Sequence, residues 1–219
     1  MKGLVRKDLK LLAKMDNRIF VIVLYAFAIS IAFFGNADIY SLQSTLFFSL
    51  FFGMHLMMTL TYDGMSAWKE YEMTLPLSVK RIVGSKYLSC LAVLPVSLIG
   101  TIVIYLIRWI VYHTFPADLF RISIMFAVIL PLLWCSLCLA LAQWIGYMNI
   151  QYVRVLGMLL ALYLLRGSKS IDPASLKSVL HHPVIIIILL LGIVILSYIL
   201  CVIGYACKKE ITTSKSRWI

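Results

Sequence analysis

Six continuous apolar stretches constrain this 219-residue chain more than any other feature, because a bilayer is the environment that suits them. A hydrocarbon core about 30 Å thick is crossed by a helix of about 20 apolar residues. Unpaired backbone groups are costly in lipid, so only helices or closed barrels span it, and continuous runs favour helices. The sequence therefore predicts an all-α membrane protein with six transmembrane helices. The predicted spans are Ile19–Phe34, Ile39–Thr61, Tyr87–Tyr112, Ile122–Ile145, Val153–Leu165 and Val184–Ala206.

Composition supports the same class, since 63% of the residues are hydrophobic and only 13% are charged, far from the balance of a soluble domain. The fifth predicted span, Val153–Leu165, is short for a bilayer. Either it extends into Ile150 and Arg166, or it tilts less than its neighbours, or the membrane is thinner beside it. We expect residues 1–219 to form one transmembrane domain, with an extracellular loop at residues 166–183.

Lysine and arginine residues are distributed unequally between the two sides of the predicted membrane. Cytoplasmic loops are enriched in these residues, so the richer side is predicted to be cytoplasmic, with both termini inside the plasma membrane. Anionic headgroups beside these loops account for the net charge of +11, and we expect no nucleic-acid partner. The basic residues of the cytoplasmic side are Lys2, Arg6, Lys7, Lys10, Lys14, Arg18, Lys69, Lys80, Arg81, Lys86, Arg154, Lys208, Lys209, Lys215 and Arg217.

Residues 1–17 are predicted to form an interfacial helix on the inner leaflet. Their apolar residues recur at helical spacing, and the basic residues fall mainly on other faces. The alternative is a basic flank of the first span that is helical only incidentally. Met1–Arg18 lacks the apolar core and cleavage site of a signal peptide, so we expect the first span to remain in the mature protein.

The most polar connection between spans covers residues 62–86. It alternates charged residues with aromatic and aliphatic ones, which is typical of a surface that binds a protein. Pro76 disfavours a helical conformation at Leu75, and Ser78 is suited to cap a new helix that begins at Val79. The sequence therefore predicts a helix, a break and a second helix that leads into the third span.

This connection resembles the type-2 permeases of ATP-binding-cassette transporters, in particular the compact branch common in Gram-positive bacteria. The resemblance continues in the opening residues Met1–Leu9 and in the short inner loop Gly146–Arg154. Two residues depart from the family pattern, Gly64 where an acid is usual and Val79 where arginine is frequent, and both bear on contacts with a partner. The matching residues are Tyr62, Asp63, Ser66, Trp68, Tyr71, Leu75, Pro76, Ser78, Lys80, Ile82, Val83, Ser85, Lys86 and Tyr87.

The resemblance implies a permease subunit of an exporter, in which residues 62–86 form a cytoplasmic coupling helix held by a separate nucleotide-binding ATPase. That subunit would bind ATP and Mg²⁺. This chain is expected to bind no cofactor or metal and to be no enzyme, and it contains no Gly-x-x-x-x-Gly-Lys-Ser/Thr phosphate loop. A second permease chain, identical or sister, and membrane lipid are the other expected partners. Few polar groups lie in the spans, which favours an amphipathic or hydrophobic substrate, a peptide, lipid or drug.

The predicted contact with the ATPase combines apolar side chains at its centre with charged ones at its rim, and Glu72 is assigned to the rim. The alternative for Trp68 and Tyr71 is anchoring at the lipid headgroups. The predicted contact residues are Tyr62, Asp63, Trp68, Glu70, Tyr71, Leu75, Pro76, Leu77, Ser78, Lys80 and Arg81.

Polar residues also recur within the second span. Thr45, Ser49 and Gly53 are four residues apart and form a stripe of small side chains, suited to helix packing within the chain or to a dimer seam. His55 and Thr59 form a neighbouring stripe and a possible intramembrane polar site, for which the alternative is a neutral histidine bonded to an adjacent helix. Acidic residues are assigned to loops and helix ends, which argues against a proton relay.

Three other classes of protein remain as alternatives. A passive channel would need no ATPase, and a scaffold or immunity protein would transport nothing. An intramembrane enzyme is the weakest alternative, because no catalytic constellation lies at membrane depth. Within the spans, Arg108 is predicted to be an interfacial anchor, and Cys135 and Cys138 are predicted to act as small apolar side chains.

Overall fold

Helices account for all of the regular structure in the residues that the structure describes. The computed structural model describes residues 2–14, 22–23, 26–30, 39–66, 68–167 and 183–216. For these residues the prediction of an all-α protein is confirmed. In chain order the helices are α1 (Lys2–Lys14), α2 (Ile39–Leu56), α3 (Met58–Met65), α4 (Trp68–Thr74), α5 (Val79–Tyr112), α6 (Ala117–Ile145), α7 (Ile150–Gly167) and α8 (Pro183–Ser216).

Four segments of the described residues are long and apolar enough to cross a membrane. They coincide with the predicted second, third, fourth and sixth spans. Most of the predicted first span, Ile19–Phe34, lies outside the described residues, and the predicted fifth span is not among the four segments, so the total of six spans stays a prediction. The four segments are Tyr40–Met65, Val79–Tyr112, Ala117–Ile145 and Ile185–Lys208.

Helix α7 occupies the predicted fifth span and continues past both of its ends. It includes Ile150 and Arg166, so the extension that the sequence left open is the one observed. The predicted outer loop at residues 166–183 is shortened accordingly, because α7 ends at Gly167 and α8 begins at Pro183. The intervening residues 168–182 lie outside the described part of the chain.

The centre of the bundle is the contact between α2 and α6, and α5, α7 and α8 pack around this pair. Gly53 of α2 faces Pro131 of α6 so closely that a Cβ atom at position 53 would lie 3.1 Å from the Pro131 Cα. From α5, Ser97 donates a hydrogen bond to the Ala127 carbonyl on α6 at 2.9 Å. Close backbone approach and interhelical hydrogen bonds therefore hold the middle of the bundle together.

Helices α5 and α6 form a hairpin with a short turn. His113 ends α5 in the left-handed conformation, with a φ of 54°, and its backbone N–H donates to the Trp109 carbonyl at 2.9 Å. Only residues 113–116 separate the two helices. The 34 residues of α5 give this helix a length of about 50 Å, which exceeds the roughly 30 Å of a hydrocarbon core.

The connection at residues 62–86 has the predicted helix, break and helix. Helix α4 ends at Thr74, residues 75–77 bend, and α5 begins at Val79. Ser78 has extended backbone angles and its carbonyl accepts the Arg81 N–H at 2.9 Å, but its side chain makes no capping hydrogen bond. The predicted boundary is therefore correct, while the proline and the backbone explain it better than the serine hydroxyl does.

Candidate functional site

Lys86, two turns into α5, is the centre of a buried group of charges. Its ammonium lies 2.6 Å from the Asp63 carboxylate, 3.3 Å from that of Asp8 and 3.8 Å from that of Glu72. Lys7 also pairs with Asp63 and lies 3.2 Å from Asp8. We call these five residues the Lys86 cluster. It joins α1, at the start of the chain, to three consecutive helices, α3, α4 and α5.

The local sequence of each helix accounts for its contribution to the cluster. In α1, Leu4 and Asp8 are one turn apart and both are buried, so one face of this basic helix packs inward. On α5, Lys86 and Ser89 are three residues apart on one face, and Ser89 donates a hydrogen bond to Asp8 at 3.1 Å. These paired positions dock α1 against the first turns of α5.

Three carboxylates and two ammonium groups leave the cluster with one excess acid. The side chains of Asp8 and Asp63 are 3% exposed, that of Glu72 is 0% exposed and that of Lys86 is 7% exposed. Among the described residues, neither carboxylate oxygen of Glu72 has a hydrogen-bond partner. Burial raises the pKa of the Glu72 carboxyl, with Lys86 opposing the shift. The raised pKa favours the protonated, neutral form of Glu72.

Trp68 places the inner face of α4 against the rest of the chain. It is four residues from Glu72, so both side chains lie on one face of the helix. Its ring packs against an apolar group that includes Leu4, Ile82 and Tyr205, and the Lys7 ammonium lies 4.4 Å from the ring centroid. Helix α4 is thus held by an aromatic residue and a carboxylate at adjacent turns.

The outer face of the same segment is exposed. Tyr71 is 55% exposed, and its ring lies 5.1 Å from that of Trp68. The predicted contact residues that the structure leaves exposed are Tyr62, Tyr71, Pro76, Ser78, Lys80 and Arg81. Trp68, Leu75 and Leu77 are half-buried and pack within the chain, so only part of each is accessible to a partner.

Two charged residues are placed differently from the prediction. The assignment of Glu72 to an exposed rim is wrong, because the helical spacing from Trp68 turns it inward. The carboxylate of Asp63 is likewise buried, and it pairs with Lys7 and Lys86 where the sequence predicted a partner contact. The Glu70 side chain lies outside the described part of the structure.

Sequence reasoning missed the role of Asp8, Lys86 and Tyr147. Asp8 is an isolated acid in a basic helix, and Lys86 matched the family pattern, so both carried a signal that a pairing argument could have used. Tyr147, in the turn after α6, is buried, and burial raises the pKa of its phenol. A Cβ atom at Gly64 would lie 2.9 Å from the Tyr147 Cβ, so an acid at position 64 would displace this turn.

The small-residue stripe of α2 is covered within the chain. Thr45, Ser49 and Gly53 are all buried, and the Ser49 hydroxyl lies 3.4 Å from that of Ser97 on α5. Of the two roles that the sequence left open, the structure supports helix packing. His55 and Thr59 are also buried in the bundle.

Arg108 and the cysteine pair lie inside the bundle as well. Arg108 is 2% exposed and its guanidinium lies 5.0 Å from the Tyr112 ring centroid, so it does not extend to an interface as predicted. Cys135 and Cys138 are buried free thiols that pack in an apolar group with Leu139 and Met57, as expected of small apolar side chains.

Comparison with known proteins adds one match. Residues 3–206 match the model of a family described as ABC-2 family transporter protein. The matched region contains all members of the Lys86 cluster and all of α2 to α7. No curated protein and no solved structure matches the chain.

Proposed function

We propose, from the premise that this chain belongs to the ABC-2 family of transporter proteins, that α4 and the bend after it receive the force of a cytoplasmic ATPase. Membership makes the chain a multi-pass membrane protein and a permease component of an ABC transporter, and it implies an ATPase partner. The proposal adds where that partner binds and how its movement reaches the spans.

The observation that carries the proposal is the division of α4 into two faces. The inner face is fixed to the chain by Trp68 and Glu72, while Tyr71 on the outer face is exposed. Pro76, Lys80 and Arg81 continue the exposed surface past the bend. An exposed aromatic residue with charged residues beside it is the usual composition of a surface that forms a strong protein–protein contact.

The Lys86 cluster supplies the connection from this surface to the membrane. Glu72 on α4 lies 3.8 Å from Lys86, and Lys86 also holds Asp63 at the end of α3 and Asp8 in α1. Buried ion pairs are costly to break one at a time, so the four helices move as a unit. Helix α5 continues through the bilayer as a rigid element, which suits a switch between two packings of the spans.

The direction and substrate of transport complete the proposal. The basic side of the chain faces the cytoplasm, both termini lie there, and an amphipathic or hydrophobic peptide, lipid or drug is moved outward. The small number of charged residues within the predicted spans supports such a substrate. A second permease chain, identical or sister, completes the pathway.

The test uses the complex purified from native membranes with a tag on this chain. We expect an ATPase to co-purify and its turnover to depend on the permease. Tyr71→Ala removes a ring that is 55% exposed, so we expect at least about a 10-fold loss of ATPase affinity with unchanged membrane insertion. Tyr163→Ala is the control, since Tyr163 on α7 is 73% exposed.

Two results would contradict the proposal. A Tyr71→Ala chain that retains the ATPase at wild-type affinity would remove the assigned contact surface. A wild-type chain that conducts ions alone, with no ATPase in the preparation, would favour a passive channel.

A further inference from the structure

A groove lies between α5, α6 and α8, on the surface of the bundle that faces away from its centre. It has a volume of about 250 Å³ and is lined mainly by apolar side chains, among them Leu91, Leu132, Val194 and Ile195. Leu91 is 48% exposed and Ile195 is 58% exposed, so the groove opens sideways between the helices. An apolar cavity of about 150 Å³ already stays dry and binds small hydrocarbons, so this larger space favours an apolar occupant over water.

The polar groups near the groove are satisfied by the protein. Ser197 donates its hydroxyl hydrogen to the Ser136 carbonyl at 2.6 Å, so Tyr87, whose hydroxyl lies 2.6 Å from that of Ser197, must be the donor to it. Tyr198 donates to the Lys80 carbonyl at 3.2 Å. An occupant therefore meets aromatic and aliphatic walls and gains little from a polar group at this depth.

The membrane around the groove determines which apolar molecule can enter it. All three helices that form the groove are candidate membrane spans, and its exposed rim lies on their outer surface. The medium in contact with such a rim is the hydrocarbon of the bilayer. An acyl chain is thus the apolar segment present there at high concentration.

A basic residue, Lys80, precedes the groove along α5 and lies on the same face of this helix. Lys80, Tyr87 and Leu91 are spaced by seven and four residues, which puts them on one side of α5. Lys80 is exposed and lies about 10 Å before Tyr87 along the helix axis. Its ammonium is therefore suited to the phosphate of a lipid whose acyl chain enters between α5 and α8.

We propose that this groove binds an anionic phospholipid of the adjacent leaflet, with one acyl chain between α5, α6 and α8 and the phosphate at Lys80. The acyl-chain contact needs only that these helices span the membrane, whereas the phosphate contact uses Lys80, which also belongs to the proposed ATPase surface. By filling the space between α8 and the two helices that it packs against, the lipid becomes part of the bundle.

The test is photo-crosslinking in nanodiscs of phosphatidylcholine that contain a small fraction of phosphatidylglycerol with a diazirine in its acyl chain. We expect crosslinks to concentrate on Leu91, Leu132, Val194 and Ile195 when the labelled peptides are mapped by mass spectrometry. Unlabelled phosphatidylglycerol should compete for these crosslinks at low molar ratio and leave crosslinks at Ile188 on the outer surface of α8 unchanged.

Two substitutions with matched controls separate the acyl and phosphate contacts. Val194→Trp fills the groove and should lower its crosslinks at least about fivefold, whereas Ile187→Trp, seven residues earlier on the same helix, should not. Lys80→Gln should lower the preference for the anionic probe over a phosphatidylcholine probe by about fivefold, the effect of one cation near the surface. Arg81→Gln, on another face of α5, should change this preference less.

Crosslinks that spread evenly over the exposed residues of α8, or groove crosslinks that no lipid competes away, would overturn the proposal. Equal labelling of the groove by anionic and zwitterionic probes in the wild-type chain would overturn the role of Lys80. Competition of the groove label by an exported peptide or drug, but not by phosphatidylglycerol, would assign the groove to the substrate instead. The competition measurement uses the wild-type chain, so it remains decisive if Val194→Trp does not fold.

Discussion

The second and last membrane segments of this chain, Tyr40–Met65 and Ile185–Lys208, are buried to very different extents. Tyr40–Met65, made of α2 and α3, has 76% of its most apolar window buried, whereas Ile185–Lys208, within α8, has 11%. The buried segment is nevertheless the less hydropathic of the two. In a membrane the most apolar helix gains nothing from leaving the lipid, while polar side chains gain partners inside the bundle. Hydropathy in this chain therefore indicates contact with lipid and not membership of the core.

Packing also differs between the two segments. Ser41, Ser44, Thr45 and Ser49 of the buried segment are all fully covered, and small side chains let α6 approach closely. Helix α8 exposes most of its isoleucine and leucine side chains. A change of side-chain size or charge should therefore matter at the inner segment and its partners and be tolerated at the outer one. Three predictions test this contrast.

The largest effect is expected where the inner segment ends, at the Lys86 cluster. Lys86→Met leaves the carboxylates of Asp8, Asp63 and Glu72 buried without their central cation. Removal of one partner from a buried ion pair costs about 3–5 kcal/mol, so we expect a loss of that order in the free energy of unfolding. Denaturant unfolding in detergent micelles, followed by tryptophan fluorescence, measures it.

Lys80→Met is the control for this substitution, because Lys80 lies on the same helix with its side chain exposed. It should change the free energy of unfolding by no more than about 0.5 kcal/mol. A change in the free energy of unfolding for Lys86→Met as small as that expected for Lys80→Met would mean that the Lys86 cluster contributes little to stability.

A second, smaller effect is expected from adding one methyl group to a glycine of each segment. At Gly53 the new Cβ would lie 3.1 Å from the Pro131 Cα, so Gly53→Ala must push α2 and α6 apart, and we expect a loss of about 1–3 kcal/mol. At Gly192 of α8 nothing lies within 4 Å, and Gly192→Ala should be stabilising by about 0.5–1 kcal/mol through helix propensity. Opposite signs in thermal unfolding support the contrast, and destabilisation by both would refute it.

The smallest effect concerns protonation of Glu72. Because burial raises its pKa, the folded chain binds the proton more tightly than the unfolded chain, and stability falls as the pH rises from the usual carboxyl value near 4.5 towards the raised one. Glu72→Gln should remove this slope and be more stable than the wild type at neutral pH. Lys7, Lys86, Asp8 and Asp63 face the carboxyl and remain unchanged.

Unfolding measured from pH 5 to pH 8 tests this prediction. Asp118→Asn, at an exposed acid near the start of α6, is the control and should keep the wild-type slope. A slope that persists in Glu72→Gln would assign it to another group.

The sequence predicted the features of this fold that depend on nearby residues. Apolar runs located the four described candidate spans, and Pro76 with Ser78 located the start of α5, because each depends on a few adjacent residues. The stripe at Thr45, Ser49 and Gly53 predicted close helix packing, but nothing in it identified α6 and Pro131 as the neighbour.

The candidate site was predicted less completely, since it depends on contacts across the chain. Lys86 meets Asp63 and Asp8 from 23 and 78 residues away, and no local pattern specifies such pairs. The orientation of Glu72 is different, because its four-residue spacing from Trp68 is visible in the sequence. The polar composition of the connection led to a surface assignment, although helical periodicity favoured a shared inner face.

The turn of four residues between α5 and α6 has a consequence for how the protein is made. It contains no lysine, arginine, aspartate or glutamate. In the proposed orientation, with both termini in the cytoplasm, this turn is the segment that crosses the hydrocarbon when the two helices insert, and it carries none of these charges into the membrane. In that orientation the pair is suited to insertion as one step.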